Sequence, residues 1–143
     1  MSAADLPAPR PFLTAEWRHL VMLNYAIEPA ILQSRVPDGT ALDLWNRLAL
    51  VSVVGFRFLR TRVLGVAVPF HVNFPEVNLR FYVRHETASG EVRRGVTFIR
   101  ELVPRLAIAT VAKLAYNEPY LAVPMQTVAP ESPTETPGTL RYG

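Results

Sequence analysis

From Glu76 to Arg84 the chain alternates without a break. Val77, Leu79, Phe81 and Val83 are apolar; Glu76, Asn78, Arg80, Tyr82 and Arg84 are polar. Successive side chains of an extended strand point to opposite faces, so this stretch predicts a β-strand with one apolar and one polar face. Its neighbours also read as β structure. Leu48 to Leu59 is rich in Val and Phe, and Val63 to Phe70 is a further run in which Pro69 limits ladder bonding. Thr87 to Gly90 reads as a hairpin turn, and Val92 to Ile99 as the returning strand.

The flanking segments are less decided. Thr14 to Ile27 fits a helix capped by Thr14, with Trp17, Leu20, Val21 and Tyr25 at helical spacing; Val21 to Ile27 fits a strand equally well. Glu28-Pro29 opens a short helix with Ile31 and Leu32 facing inward, and Val36-Pro37-Asp38-Gly39 ends it with a turn. Val103 to Tyr116 predicts a helix with Pro104 in its first turn, stopped by Asn117-Glu118-Pro119. If that helix starts a turn early, Glu101 and Arg105 form an i,i+4 surface pair. Tyr120 to Val123 is a last candidate strand. A chain of 143 residues fits one domain. The expected organisation is an extended N-terminal arm over 1–11, a domain over 12–125 and a Pro-rich flexible tail over 126–143. The fold class is α+β and mainly β.

The polar face of the Glu76–Arg84 strand has two readings. It faces water, or it lines the interior or mouth of a barrel, where a carboxylate, an amide and a guanidinium meet a ligand. Positions two apart on an ideal strand are separated by roughly 6.6 Å and positions four apart by roughly 13 Å. Glu76 and Arg80 therefore do not pair along the strand. If buried, each needs a cross-strand partner, a water or a ligand, because an unpaired buried charge costs several kcal/mol.

The other chemistry is sparse. Cys is absent, which excludes disulfides and thiolate catalysis. His19, His71 and His85 lack metal-ligand spacing, the seven glycines form no phosphate-cradling loop, and no nucleophile-elbow serine is present. No cofactor is expected. Fifteen basic residues against twelve acidic ones give a net charge of +3, and Lys113 is the lone lysine. The arginines form two loose groups, Arg57/Arg60/Arg62 and Arg84/Arg93/Arg94, rather than a dense basic face, so no nucleic-acid partner is expected. Lys113 reads either as a solvated helix lysine or as an amine held in an apolar pocket, where it becomes nucleophilic. The longest apolar run, Leu48 to Phe56, is interrupted by Ser52 and Gly55 and falls short of the roughly 20 residues a spanning helix needs. Met1 to Pro11 lacks the basic start and apolar stretch of a signal peptide, so a cytoplasmic location with no membrane partner is expected.

A family resemblance rests on a series of segments in fixed order. These are Trp17-Arg18-His19-Leu20, the Pro29/Leu32 segment, Val36-Pro37-Asp38-Gly39, Asn73-Phe74-Pro75-Glu76-Val77-Asn78-Leu79-Arg80-Phe81-Tyr82-Val83, Arg94-Gly95-Val96-Thr97-Phe98 and Glu118-Pro119-Tyr120. The chain resembles the YqjF-like bacterial family, a domain of unknown function, over about residues 12–125. Family members usually run longer, so the resemblance implies a short or truncated member. That family is similar in fold to acetoacetate decarboxylase. This implies a β-barrel or partial barrel with two or three short helices and a central pocket. In the decarboxylases a Gly-Arg is followed by a Pro and paired lysines, one of which forms the Schiff base. Here Lys113 stands where the Arg would be, and Tyr120 and Leu121 follow Pro119. The resemblance thus implies a related pocket, with Glu76 in place of the pocket carboxylate, and without the lysine pair.

The expected function is binding of a small polar or anionic molecule. Arg80 would be the anion anchor, Asn78 and Glu76 would orient the ligand, and Tyr82 and Tyr120 would supply walls. Two alternatives stand beside it. One is a decarboxylase-like lyase on a keto acid, with Lys113 and Glu76 catalytic. The other is an interaction module or fragment that pairs through an open sheet edge, as a homo-oligomer or with a second chain.

Overall fold

Runs of Val, Leu and Phe interleaved with polar residues extend into four long strands. The computed structural model describes residues 11–67, 72–104, 119–128 and 140–142. The strands are β1 (Leu13–Ile27), β2 (Ala41–Leu42), β3 (Leu44–Trp45), β4 (Leu48–Val63), β5 (Val66–Ala67), β6 (Phe74–Glu86), β7 (Val92–Val103), β8 (Tyr120–Ala122), β9 (Thr127–Val128) and β10 (Arg141–Tyr142). The protein is therefore mainly β. The main sheet runs in the order β1-β4-β6-β7-β8, with β2, β3 and β5 paired along its flanks. All its pairings are antiparallel except β7–β8, which is parallel. Among the described residues β1 and β8 are its two edges, and the sheet is open rather than a closed barrel.

The ambiguity over Thr14–Ile27 resolves in favour of strand, because β1 pairs with β4 along nearly its whole length. The expected helix at Pro29 is instead two short 3-10 turns, Pro29–Ile31 and Gln33–Arg35. Adjacent residues in so tight a turn point apart. Leu32 is buried as expected, but Ile31 is 64% exposed and does not face inward. Thr87 and Gly90 close the β6–β7 hairpin as read, through a Gly90 N–H bond to the Thr87 carbonyl. The returning strand runs on through Val103, past the expected helix start. The rest of that helix, including Arg105 and Lys113, lies outside the described residues, as does His71.

Three register shifts decide which side chains share a face. On β1 the pairing steps from Arg18–Arg57 to Val21–Gly55, and the extra residue sits beside His19, whose φ is +54°. Nearer the start of β1 the pairing steps from Thr14–Arg62 to Glu16–Leu59, so the extra residue lies on β4, next to Arg60 at φ +54°. On β7, Leu79–Arg100 is followed by Arg80–Phe98, which leaves Ile99 as the extra residue. Each bulge reverses the alternation of its strand.

One face of the sheet carries Leu32, Ala49, Val51, Phe81 and Val83, with Ile27, Val36, Leu42, Leu79 and Ile99 packed around them. The opposite face begins at one end with an aromatic row. Trp17 stacks on Phe56 at 4.4 Å, Phe56 meets Phe58 at 5.0 Å, and Phe58 meets Phe74 at 4.8 Å. Phe74 and Val103 anchor a second apolar cluster there, with Phe58, Tyr120 and Ala122. Trp17 is half exposed on this rim, and Trp45 is exposed on β3.

Candidate functional site

The polar residues of β6 continue the row that Phe74 begins. Pairing sets Phe56 beside Glu76, Val54 beside Asn78 and Ser52 beside Arg80 on the β4 side. On the β7 side Glu101 lies opposite Asn78, Phe98 opposite Arg80 and Val96 opposite Tyr82. Tyr120 of β8 is next to Glu101. The solvated reading of this row fails at its start. Glu76 is 2% exposed and Asn78 1%, while Val77 and Leu79 on the other face are only partly buried.

Burying these groups requires partners, and two are supplied locally. Asn78 Nδ2 donates to Glu76 Oε1 at 3.1 Å, an i,i+2 contact along the strand. The Tyr120 hydroxyl donates to Glu76 Oε2 at 3.3 Å. Glu76, Asn78 and Tyr120 are therefore one connected group. Tyr82 belongs to a second group. Ser52, wholly buried, donates through Oγ to Asn24 Oδ1 at 2.6 Å, and its oxygen lies 2.7 Å from the Tyr82 hydroxyl. A serine hydroxyl has one proton. With that proton on Asn24, Tyr82 is the donor to Ser52, and the phenol oxygen keeps only acceptor capacity. Arg80 lies between the two groups, and its Nε is buried without an acceptor among the described residues.

Of the residues expected at the site, Glu76, Asn78, Arg80, Tyr82 and Tyr120 share one face. Lys113 falls outside the described residues. Sequence reasoning missed Asn24, Ser52 and Glu101. Glu101, which would pair with Arg105 on a helix surface only if the Val103–Tyr116 helix began a turn early, is instead a strand residue, 2% exposed and opposite Asn78. Ser52 left one signal, as the polar interruption of an apolar run. Asn24 left none.

The exposed end of the row is basic. Arg84 and Arg94 face each other across β6 and β7, and Arg94 Nε donates to Asp43 Oδ2 at 3.0 Å. The row thus runs from a buried acidic end at Glu76 and Glu101 to an exposed cationic end at Arg84. Among the described residues no group of three or more His, Asp or Glu side chains is placed to hold a metal ion. No helix among them is long and apolar enough to cross a membrane.

The strand that carries this row is also the most specific segment of the family resemblance. The chain matches the model of DUF2071, described as an uncharacterized conserved protein, over residues 14–142. It belongs to that family. The DUF2071 match runs from Thr14 in β1 to Tyr142 in β10. The chain is also similar to the uncharacterized protein YqjF of Bacillus subtilis (strain 168), with 34% identity over 76 residues. That alignment covers 52% of this chain and 31% of the relative, so this chain matches about a third of the relative's length.

Proposed function

We propose that this DUF2071 chain is a small-molecule-binding domain that takes a small polar or acidic compound on the polar face of β6. The observation that carries the reading is the burial of Glu76 and Asn78 on a strand face that alternation alone would have left to water. Burying such groups costs free energy unless they are paired, and buried titratable groups of this kind cluster at functional sites. Arg80 is the anion anchor, Asn78 and Glu76 orient the ligand, and Tyr82 and Tyr120 flank it. The proposal extends to architecture: the sheet curls into a decarboxylase-like partial barrel with this face inward.

The test is thermal stabilisation of the folded chain by a panel of small carboxylates. Arg80→Ala is expected to abolish anion-dependent stabilisation while the fold stays largely intact, judged by an unchanged circular dichroism spectrum. Loss of the fold in Arg80→Ala would make Arg80 structural instead. Glu76→Gln separates charge from shape in the same assay. A lyase using Lys113 and Glu76 is the enzymatic competitor, and borohydride trapping with keto acids separates the two. A reduced adduct on Lys113 would replace the binding reading with an amine mechanism.

A further inference from the structure

Two buried polar atoms on the β6 face have opposite needs. Arg80 Nε is a donor without an acceptor, and Asn78 Oδ1 is an acceptor without a donor, among the described residues. The hydrogen bond to Glu76 sets the amide orientation of Asn78. Its Nδ2 faces the Glu76 carboxylate, which accepts, so Oδ1 is the atom left over. The two residues are successive on one face, roughly 6.6 Å apart along the strand. Glu76 serves neither atom: as a carboxylate it only accepts, so it offers nothing to Asn78 Oδ1, and Arg80 Nε does not reach it. Nor is the Ser52 hydroxyl opposite Arg80 free to move, since its one proton is committed to Asn24.

We infer that the ligand is bipolar: a carboxylate that accepts from Arg80, joined by a short spacer of a few carbons to a hydroxyl or amino group that donates to Asn78 Oδ1. The inference rests on the proposed binding function and narrows its ligand class from any small acid to hydroxy- or amino-carboxylates. The polarity of the row agrees with it. The donor end of the ligand points toward Glu76 and Glu101, and the carboxylate points toward the open end, where the exposed Arg84 favours entry of an anion.

The experiment is calorimetric titration of the full chain with butyrate, γ-hydroxybutyrate and γ-methoxybutyrate. The three share a carboxylate and a chain length; the methyl ether keeps the oxygen but lacks the proton. γ-Hydroxybutyrate is expected to bind about tenfold more tightly than either of the others, the size expected for pairing a buried acceptor. Asn78→Leu should erase that preference, so that γ-hydroxybutyrate binds no more tightly than butyrate or the ether. Should Asn78→Leu fail to fold, the hydroxyl-to-ether comparison on the unaltered chain carries the test alone. Equal affinities for the three acids would overturn the bipolar ligand and leave the anion site standing. Binding of none of them, with other small carboxylates still stabilising the chain, would overturn this inference alone. No response to any carboxylate would overturn both readings.

Discussion

Ser52 is wholly buried in the middle of β4 and holds two side chains through one hydroxyl. Removing it by Ser52→Ala leaves the half-buried Tyr82 hydroxyl without its acceptor and breaks the link to Asn24. The expected loss is about 1–2 kcal/mol in urea unfolding, within the range for a buried polar group left unpaired. Retention of full stability would mean that water replaces the serine on Tyr82. The polar row itself was legible because strict alternation needs no knowledge of neighbouring strands: Glu76, Asn78, Arg80 and Tyr82 fall on one face by parity alone. Their partners were not legible, because those depend on register. The bulge beside His19 brings Trp17, Met22 and Asn24 to the same face despite the change from odd to even numbers, and the one at Ile99 does the same for Glu101 and Phe98. A one-residue shift exchanges every partner, and nothing in these side chains announces it.

At the scale of elements, the C-terminal strand pair was the part least readable in advance. The segment was expected to be a flexible tail because it is rich in Pro and has little to bury. Its two described ends nevertheless pair as β9 and β10 and bring Tyr142 onto the sheet. The Tyr142 hydroxyl donates to the His19 carbonyl at 2.6 Å, at the β1 bulge, and its ring lies on Gly55. A Cβ at Gly55 would come within 2.8 Å of Tyr142 Cδ2, closer than packed carbons approach. Gly55→Ala is therefore expected to destabilise the chain by about 1–3 kcal/mol, as overpacking does. In a Tyr142→Ala background the same substitution should be neutral or slightly stabilising, since Ala loses less backbone freedom than Gly in a strand. A double-mutant cycle reads the difference, and additive effects would show that the ring does not rest on Gly55 in solution. Burial raises the Tyr142 phenol above its usual 10.0, with the nearby Arg57 pulling the other way. The sign follows from linkage. The unfolded phenol ionises first as pH climbs past its usual value, so the unfolded state binds fewer protons and stability falls. Tyr142→Phe should flatten that alkaline decline while lowering stability slightly at neutral pH through loss of the His19 bond. An equally steep decline in the variant would assign the alkaline sensitivity to other tyrosines.

For the whole molecule, the open sheet makes its two edges unequal. β8 is three residues long, whereas β1 is fifteen, and no strand among the described residues pairs with the outer side of β1. Leu20, Leu23 and Tyr25 are each about half exposed along it. Long apolar edges of this kind recruit another strand unless charge or a bulge blunts them. Here the bulge and the Glu16–Arg18 and Glu16–Arg60 ion pairs protect only the first half. From Val21 to Ile27 the pairing with β4 is regular and the outer edge carries no charge. The expected outcome is concentration-dependent association through that half, read by sedimentation velocity over a wide dilution series. Leu23→Lys should shift the distribution toward the monomer and change unfolding stability by no more than about 0.5 kcal/mol, because an exposed substitution disturbs no packed group. A chain that sediments as a monomer at every concentration would show that β1 is covered within one molecule. In that case closure of the sheet upon itself, rather than pairing with a second chain, becomes the account of its apolar edge.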